Sequence, residues 1–195
     1  MKTTFEHTQI AGMKLKNRII RSATYEGMVD KNGFPTEKLK NLYVRLSKGG
    51  VGAIITGFRV VQANGKSSGL NDAMIDNNKS IEAYKEITDA VHEYDTPIIM
   101  QLSHCGRQTR SQITGLPTVA PSALRDAFYS EDMPKSLSED EINELINSFV
   151  SAIIRAREAG FDGVQLHLAH GYLLSEFLSS YANHRKDQWG GSTAN

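Results

Sequence analysis

Gly160-Phe161-Asp162-Gly163-Val164-Gln165-Leu166-His167-Leu168-Ala169-His170-Gly171-Tyr172 reads as a short apolar strand that ends in two histidines and a tyrosine. The residues before it spell a helix. Ser138 and Glu141 form an S-x-x-E capping box. Ile142, Leu145, Ile146, Phe149, Val150, Ile153 and Ile154 follow at helical spacing, and Ala159-Gly160 closes the run. A further helix begins near Gly171 and carries Leu173, Leu174, Phe177 and Leu178. A strand placed between two helices, with no hairpin partner beside it, belongs to a parallel sheet. Its carboxyl end is where α/β enzymes gather their chemistry.

The same alternation extends back to the N-terminus. Asn17-Arg18-Ile19-Ile20-Arg21-Ser22-Ala23-Thr24 is a first strand. Thr36 is placed to cap a helix with Leu39, Leu42, Tyr43 and Leu46 on one face, ended by Gly49-Gly50. Val51-Gly52-Ala53-Ile54-Ile55-Thr56-Gly57 is an apolar run without polar alternation, as in a strand buried on both faces. A polar loop over residues 62–78 leads to a helix with Ile81, Tyr84, Ile87 and Val91, then to the strand Pro97-Ile98-Ile99-Met100-Gln101-Leu102. Residues 103–137 make a connection too long to be only a connection. Four strands, each followed by a helix, predict right-handed crossovers in a parallel sheet. Either a doubly wound sheet or four of the eight units of a (β/α)₈ barrel fits. No G-x-G-x-x-G or P-loop is present, which weakens the nucleotide-type doubly wound reading.

Composition narrows the function classes. The chain has 195 residues with 22 Lys plus Arg against 22 Asp plus Glu, so charge points to neither a nucleic-acid nor a membrane partner. Cys105 is the single cysteine, which excludes an intrachain disulfide and a multi-thiolate metal site and suits a reducing, cytoplasmic setting. No apolar segment has the length of a membrane span, and Met1-Lys2-Thr3-Thr4-Phe5-Glu6-His7 lacks the apolar core of a signal peptide.

The strand ends carry the polar residues. The first ends at Ser22-Ala23-Thr24-Tyr25 and the second at Thr56-Gly57. The third ends at Gln101, with His104 and Arg107 beyond, and the fourth at His167, with His170 and Tyr172 beyond. A barrel would bring these onto one face. Neutral imidazoles and a phenol suit holding a carbonyl oxygen and delivering a proton. No acid or cysteine stands in a nucleophile's setting, so covalent ester or peptide cleavage is disfavoured. A metal-dependent barrel hydrolase using His167 and His170 is the competing enzyme reading, although H-x-x-H lacks a nearby acid. A non-catalytic fragment is the third.

At these residues the sequence resembles the Old Yellow Enzyme family of flavin-dependent ene-reductases, over nearly its whole length. Gln101-Leu102-Ser103-His104-Cys105-Gly106-Arg107 resembles the family's Q-L-x-H-x-G-R segment. His167-Leu168-Ala169-His170-Gly171-Tyr172-Leu173 resembles H-x-x-[HN]-G-Y-L. Leu15-Lys16-Asn17-Arg18-Ile19-Ile20, Ala120-Pro121-Ser122 and the run from Asn183 through Arg185, Asp187 and Trp189 to Gly190-Gly191-Ser192 are similar to further family motifs in the same order. The resemblance implies a TIM barrel with FMN at its C-terminal mouth and NADH or NADPH as electron donor. The implied acceptor is a small electrophilic alkene conjugated to a carbonyl, and a homo-oligomer is compatible with it.

Site roles follow from the resemblance alone. Ser22, Ala23, Thr24 and Tyr25 would line one edge of the isoalloxazine, Gly57 would let the backbone approach it, and Gln101 would bind its pyrimidine edge. His167 and His170 would hold the acceptor's carbonyl, and Tyr172 would protonate the α-carbon. Family members commonly carry Thr or Cys where this chain has Tyr25, which leaves flavin tuning and pocket shape open. The family draws its phosphate site and an arginine near flavin N1 from later strands. Residues 1–195 are therefore expected to be one barrel domain lacking its C-terminal half, inactive alone and binding FMN weakly or not at all.

Overall fold

The computed structural model describes residues 3–67, 71–128 and 130–192, so part of the polar loop before Asn78 lies outside the described residues. It opens with a feature the sequence reading missed. β1 (Thr8–Ile10) and β2 (Met13–Leu15) form an antiparallel hairpin, with Thr8 opposite Leu15. Ala11 and Gly12, at φ 47° and 87°, supply the doubly left-handed turn that a two-residue hairpin needs.

The parallel sheet follows. β3 (Ile20–Arg21), β4 (Ala53–Val60) and β5 (Ile98–Ser103) lie side by side, and the fourth strand, which lies beyond β5, comes late in the chain. Helices α1 (Glu37–Lys48) and α2 (Lys79–His92) connect the first three. The long connection after β5 holds a short helix, α3 (Ser111–Thr114), and two small paired strands, β6 (Val119–Ala120) and β7 (Lys135–Ser136). Next come α4 (Glu139–Glu158), β8 (Gly163–Leu166) and α5 (Leu173–Leu178). The sheet order is β3-β4-β5-β8, all parallel, each strand beside its predecessor in the sheet. That is the order of successive barrel strands, so the (β/α)₈ expectation holds for the four units seen.

Ile54, Ile98, Met100 and Leu102 project from the sheet into a core shared with Leu39 and Tyr43 of α1, Tyr84, Ile87 and Val91 of α2, and Leu145, Phe149 and Ala152 of α4. Ile99 and Gln101, on the opposite face, are only half-buried. The third strand thus alternates. Among the described residues β8 is the last strand of the sheet, and Val164 and Leu166 are exposed on it. α4 is apolar on two sides. Ile142, Leu145 and Phe149 enter the core, whereas Ile146, Val150, Ile153 and Ile154 face solvent. Among the described residues no helix is long and apolar enough to cross a membrane.

Three local expectations need correction. The first strand is only Ile20–Arg21, because the Asn17 side chain takes the Ile19 N–H at 2.9 Å and donates to the Gly50 carbonyl at 2.7 Å, which makes a turn of the preceding residues. Thr36 caps α1 by position alone. Its hydroxyl donates to the Met28 carbonyl at 2.8 Å, tying the β3–α1 connection instead. The second strand continues past Gly57 to Val60 through a shift in register between Ile55 and Phe58. Thr56 drives that irregularity: its hydroxyl donates to the Gly57 carbonyl and accepts the Gln101 N–H, replacing ladder bonds. The Ser138–Glu141 capping box forms as read, with reciprocal bonds of 2.9 and 3.2 Å.

Candidate active site

The carboxyl ends of the strands enclose a cavity of about 500 Å³. Ala23, Thr24, Tyr25, Gln101, His167, His170 and Tyr172 line it, seven of the nine residues singled out from sequence. Ser22 and Gly57 do not: Ser22 is exposed, and Gly57 is buried against Glu26 and Thr24. A side chain at Gly57 would collide with the Glu26 carboxylate and lie 2.5 Å from the Thr24 carbonyl. Its space is therefore filled by the protein's own second layer. Phe58 and Gln165 also line the cavity and were missed.

β8 and the turn after it set the histidines. The His167 N–H donates to the Leu102 carbonyl at 2.9 Å, extending the β5–β8 ladder by one residue. The chain then reverses through His170 and Gly171, at φ 60° and 73°. A left-handed histidine costs on the order of 1 kcal/mol. Gln108 holds it there by donating to the His170 carbonyl at 2.8 Å. The Leu173 N–H reaches the His104 carbonyl at 3.0 Å and anchors the start of α5, with Tyr172 at its N-cap.

The result is a cluster of rings. His167 lies 5.0 Å from His170 and 4.9 Å from Tyr172 between ring centroids, and His170 lies 6.1 Å from Tyr172. Phe58 contacts His167, Tyr172 and Tyr25 at 6.1, 5.8 and 6.1 Å. Burial and then the neighbouring His170 push the His167 pKa down, so this ring is neutral at pH 7. Its Nδ1 accepts the Ala169 N–H at 3.2 Å, so its hydrogen sits on Nε2 and points to Nδ1 of His170, also at 3.2 Å. His170, accepting at Nδ1, keeps a hydrogen on Nε2 to offer a ligand.

Within the same cavity the Gln101 amide donates to the Gln165 carbonyl oxygen at 2.7 Å. This leaves an outward acceptor on Gln101 and an outward donor on Gln165, a pair matched to a heterocycle with alternating C=O and N–H groups. Tyr25 donates to the Asn71 carbonyl at 3.1 Å, which fixes its ring at the rim. Among the described residues no Lys, Arg, Asp or Glu lines the cavity.

His104 and Arg107, also near a strand end, are turned away. His104 accepts the Gly106 N–H and meets Asn64, and burial lowers its pKa to about 3, leaving it a neutral strut. Arg107 donates to Leu124 and lies 3.8 Å from Asp126. Burial raises the Cys105 pKa, so this thiol is not a nucleophile. Among the described residues no group of three or more His, Cys, Asp or Glu could hold a metal, so His167 and His170 have no third ligand.

The carboxyl edge of the parallel sheet thus bears a slot lined by an amide pair, an imidazole pair and a phenol. The chain belongs to the NADH:flavin oxidoreductase / NADH oxidase family, whose model matches residues 3–195. An "NADH oxidase" of Thermoanaerobacter brockii is 38% identical over 96% of this chain and 29% of its own length. An "NADPH dehydrogenase" of Clostridium acetobutylicum is 40% identical over 98% of this chain and 55% of its own. The solved Old Yellow Enzyme homologue from Zymomonas mobilis superposes with a TM-score of 0.87 at 31% identity, covering 98% of this chain and 55% of that one. The chain thus spans about half of the latter two and less of the first.

Proposed function

We propose that these residues are the N-terminal part of one barrel domain of an FMN-dependent oxidoreductase that reduces the activated C=C of an α,β-unsaturated carbonyl compound. The carrying observation is that two sets of groups line one cavity: the Gln101–Gln165 amide pair and the His167–His170–Tyr172 cluster. The first fits the pyrimidine edge of a flavin. Ala23, Thr24 and Tyr25 flank the ring, with Ser22 and Gly57 shaping the backbone beside them. Bound FMN supplies the two-electron chemistry, with NADH or NADPH as donor and the alkene's β-carbon as hydride acceptor.

This chain's residues do the rest. The Nε2 hydrogen of His170 binds the acceptor's carbonyl oxygen, and His167 joins it when its bond to His170 opens. Together they stabilise the negative charge that develops there. His167 acts as a neutral donor, since burial disfavours an imidazolium there. Tyr172, 4.9 Å from His167 by ring centroid, gives its proton to the carbon beside that carbonyl. Phe58 closes one side and keeps water from the developing charge. A single buried thiol accords with a reducing, cytoplasmic setting.

The test uses protein expressed from the whole reading frame. FMN should bind with a perturbed visible spectrum, NADH or NADPH should bleach it without oxygen, and 2-cyclohexenone should restore it with formation of cyclohexanone. Bound zinc, with no change in FMN absorbance on mixing, would overturn the proposal in favour of the metal-dependent reading.

A further inference from the structure

A buried ion cluster lies beside Tyr25 and Phe58, two residues of the cavity lining. The Glu26 side chain is 5% exposed and the Arg59 side chain 1%. Glu26 Oε1 accepts from the Tyr43 hydroxyl at 2.6 Å and the Gly57 N–H at 3.0 Å, and Arg21 lies 2.8 Å away. Its Oε2 lies 3.5 Å from Arg59. Arg59 donates to the Gly57 carbonyl at 2.8 Å and to the Tyr43 oxygen at 3.1 Å. Arg21 donates to the Ile55 carbonyl at 2.8 Å and the Thr24 carbonyl at 3.3 Å.

These bonds fall where the sheet cannot supply its own. Register shifts between Ile55 and Phe58, so the ladder does not fix the groups between them. The cluster takes over: Glu26 holds the N–H of Gly57, Arg59 holds its carbonyl, and Arg21 holds Thr24. The next residues outward, Tyr25 and Phe58, line both the main cavity and a smaller one that Glu26 and Arg59 also line. Burial alone would raise the Glu26 pKa; Arg59, the Tyr43 hydroxyl and the Gly57 N–H more than offset it and keep the group ionised. A buried ion cluster is a poor device for stability alone, because desolvation consumes most of the attraction. Geometry at a broken ladder is what this one provides.

We propose that Glu26 is a positioning residue of the cavity, which with Arg21 and Arg59 holds Thr24 and Tyr25 against Gly57 and Phe58 and so sets the slot that takes the flat ring. The ligand's identity rests on the flavin reading above; the positioning does not. Glu26→Gln keeps the shape and an acceptor for Gly57, but removes the charge that Arg21 and Arg59 face. The control is Phe149→Ala, which loosens the core from α4 without touching the cavity wall.

Amide exchange of the ligand-free protein should accelerate about tenfold or more at Tyr25, Gly57 and Phe58 in E26Q, beyond any change at β5. The FMN dissociation constant should rise about tenfold or more in E26Q and stay unchanged in F149A at a temperature where both are folded. Uniform exchange and unchanged FMN affinity in E26Q would overturn the proposal and leave a structural cluster. If the unsubstituted protein bound no FMN, the flavin reading would fall, while the exchange measurement would still decide the positioning role.

Discussion

Glu176→Gln should make the protein more stable at neutral pH, and the gain should grow as pH rises. Glu176 sits on α5 with 1% of its surface exposed. One carboxyl oxygen accepts the Arg107 N–H at 3.0 Å, and the other has no partner. Burial pushes its pKa from 4.5 up to about 8, against the weaker opposing pull of the Arg107 N–H and guanidinium. The folded protein therefore holds a proton that the unfolded chain releases. The stabilisation is fully present below pH 4.5 and is lost as pH rises through about 8. At about 1.4 kcal/mol per pH unit, the interval from 4.5 to 7 amounts to about 3 kcal/mol. Glutamine keeps the acceptor for Arg107, has the same shape and is neutral throughout. Urea unfolding of both proteins at pH 5, 6, 7 and 8 measures the effect. The two should be close at pH 5, and the substituted protein should lead by about 2–3 kcal/mol at pH 7. Parallel profiles would show instead that Glu176 is ionised in the folded state.

Two further outcomes follow from local geometry. Ser138→Ala removes one half of the capping box of α4 and should cost about 1 kcal/mol in urea unfolding, with no change in FMN affinity. Gly57→Ala drives a methyl into the Glu26 carboxylate and the Thr24 carbonyl, and should cost about 1–3 kcal/mol in the same assay and weaken FMN binding.

Long periodic segments were the legible part of this molecule. α4 announced itself through a capping box and seven apolar residues at helical spacing, and three of the four strands through short apolar runs. What escaped were features decided by side chains acting on backbone. Asn17 shortens the first strand by bonding Ile19 and Gly50, contacts that no propensity encodes. Thr56 breaks the ladder of β4, and a one-residue slip sends side chains to the other face. Phe58 therefore could not be assigned to the cavity by counting along the strand. Gln165 did carry a signal. It stands two residues before His167, on the same face of the strand, and opposite Gln101 in the pairing. Arg59 carried one too, since an arginine in an apolar strand needs a buried partner; the sequence holds nothing to say that this is Glu26, 33 residues earlier.

Separating the two half-reactions isolates the proton delivery assigned to Tyr172. In FMN-loaded protein carrying Tyr172→Phe, bleaching of the flavin absorbance by NADH or NADPH should proceed at nearly the unsubstituted rate. Its return on adding 2-cyclohexenone should slow about 100-fold, within the range that loss of a positioned proton donor produces. Equal slowing of both steps, or of neither, would contradict the assignment of Tyr172 as the group that protonates the substrate.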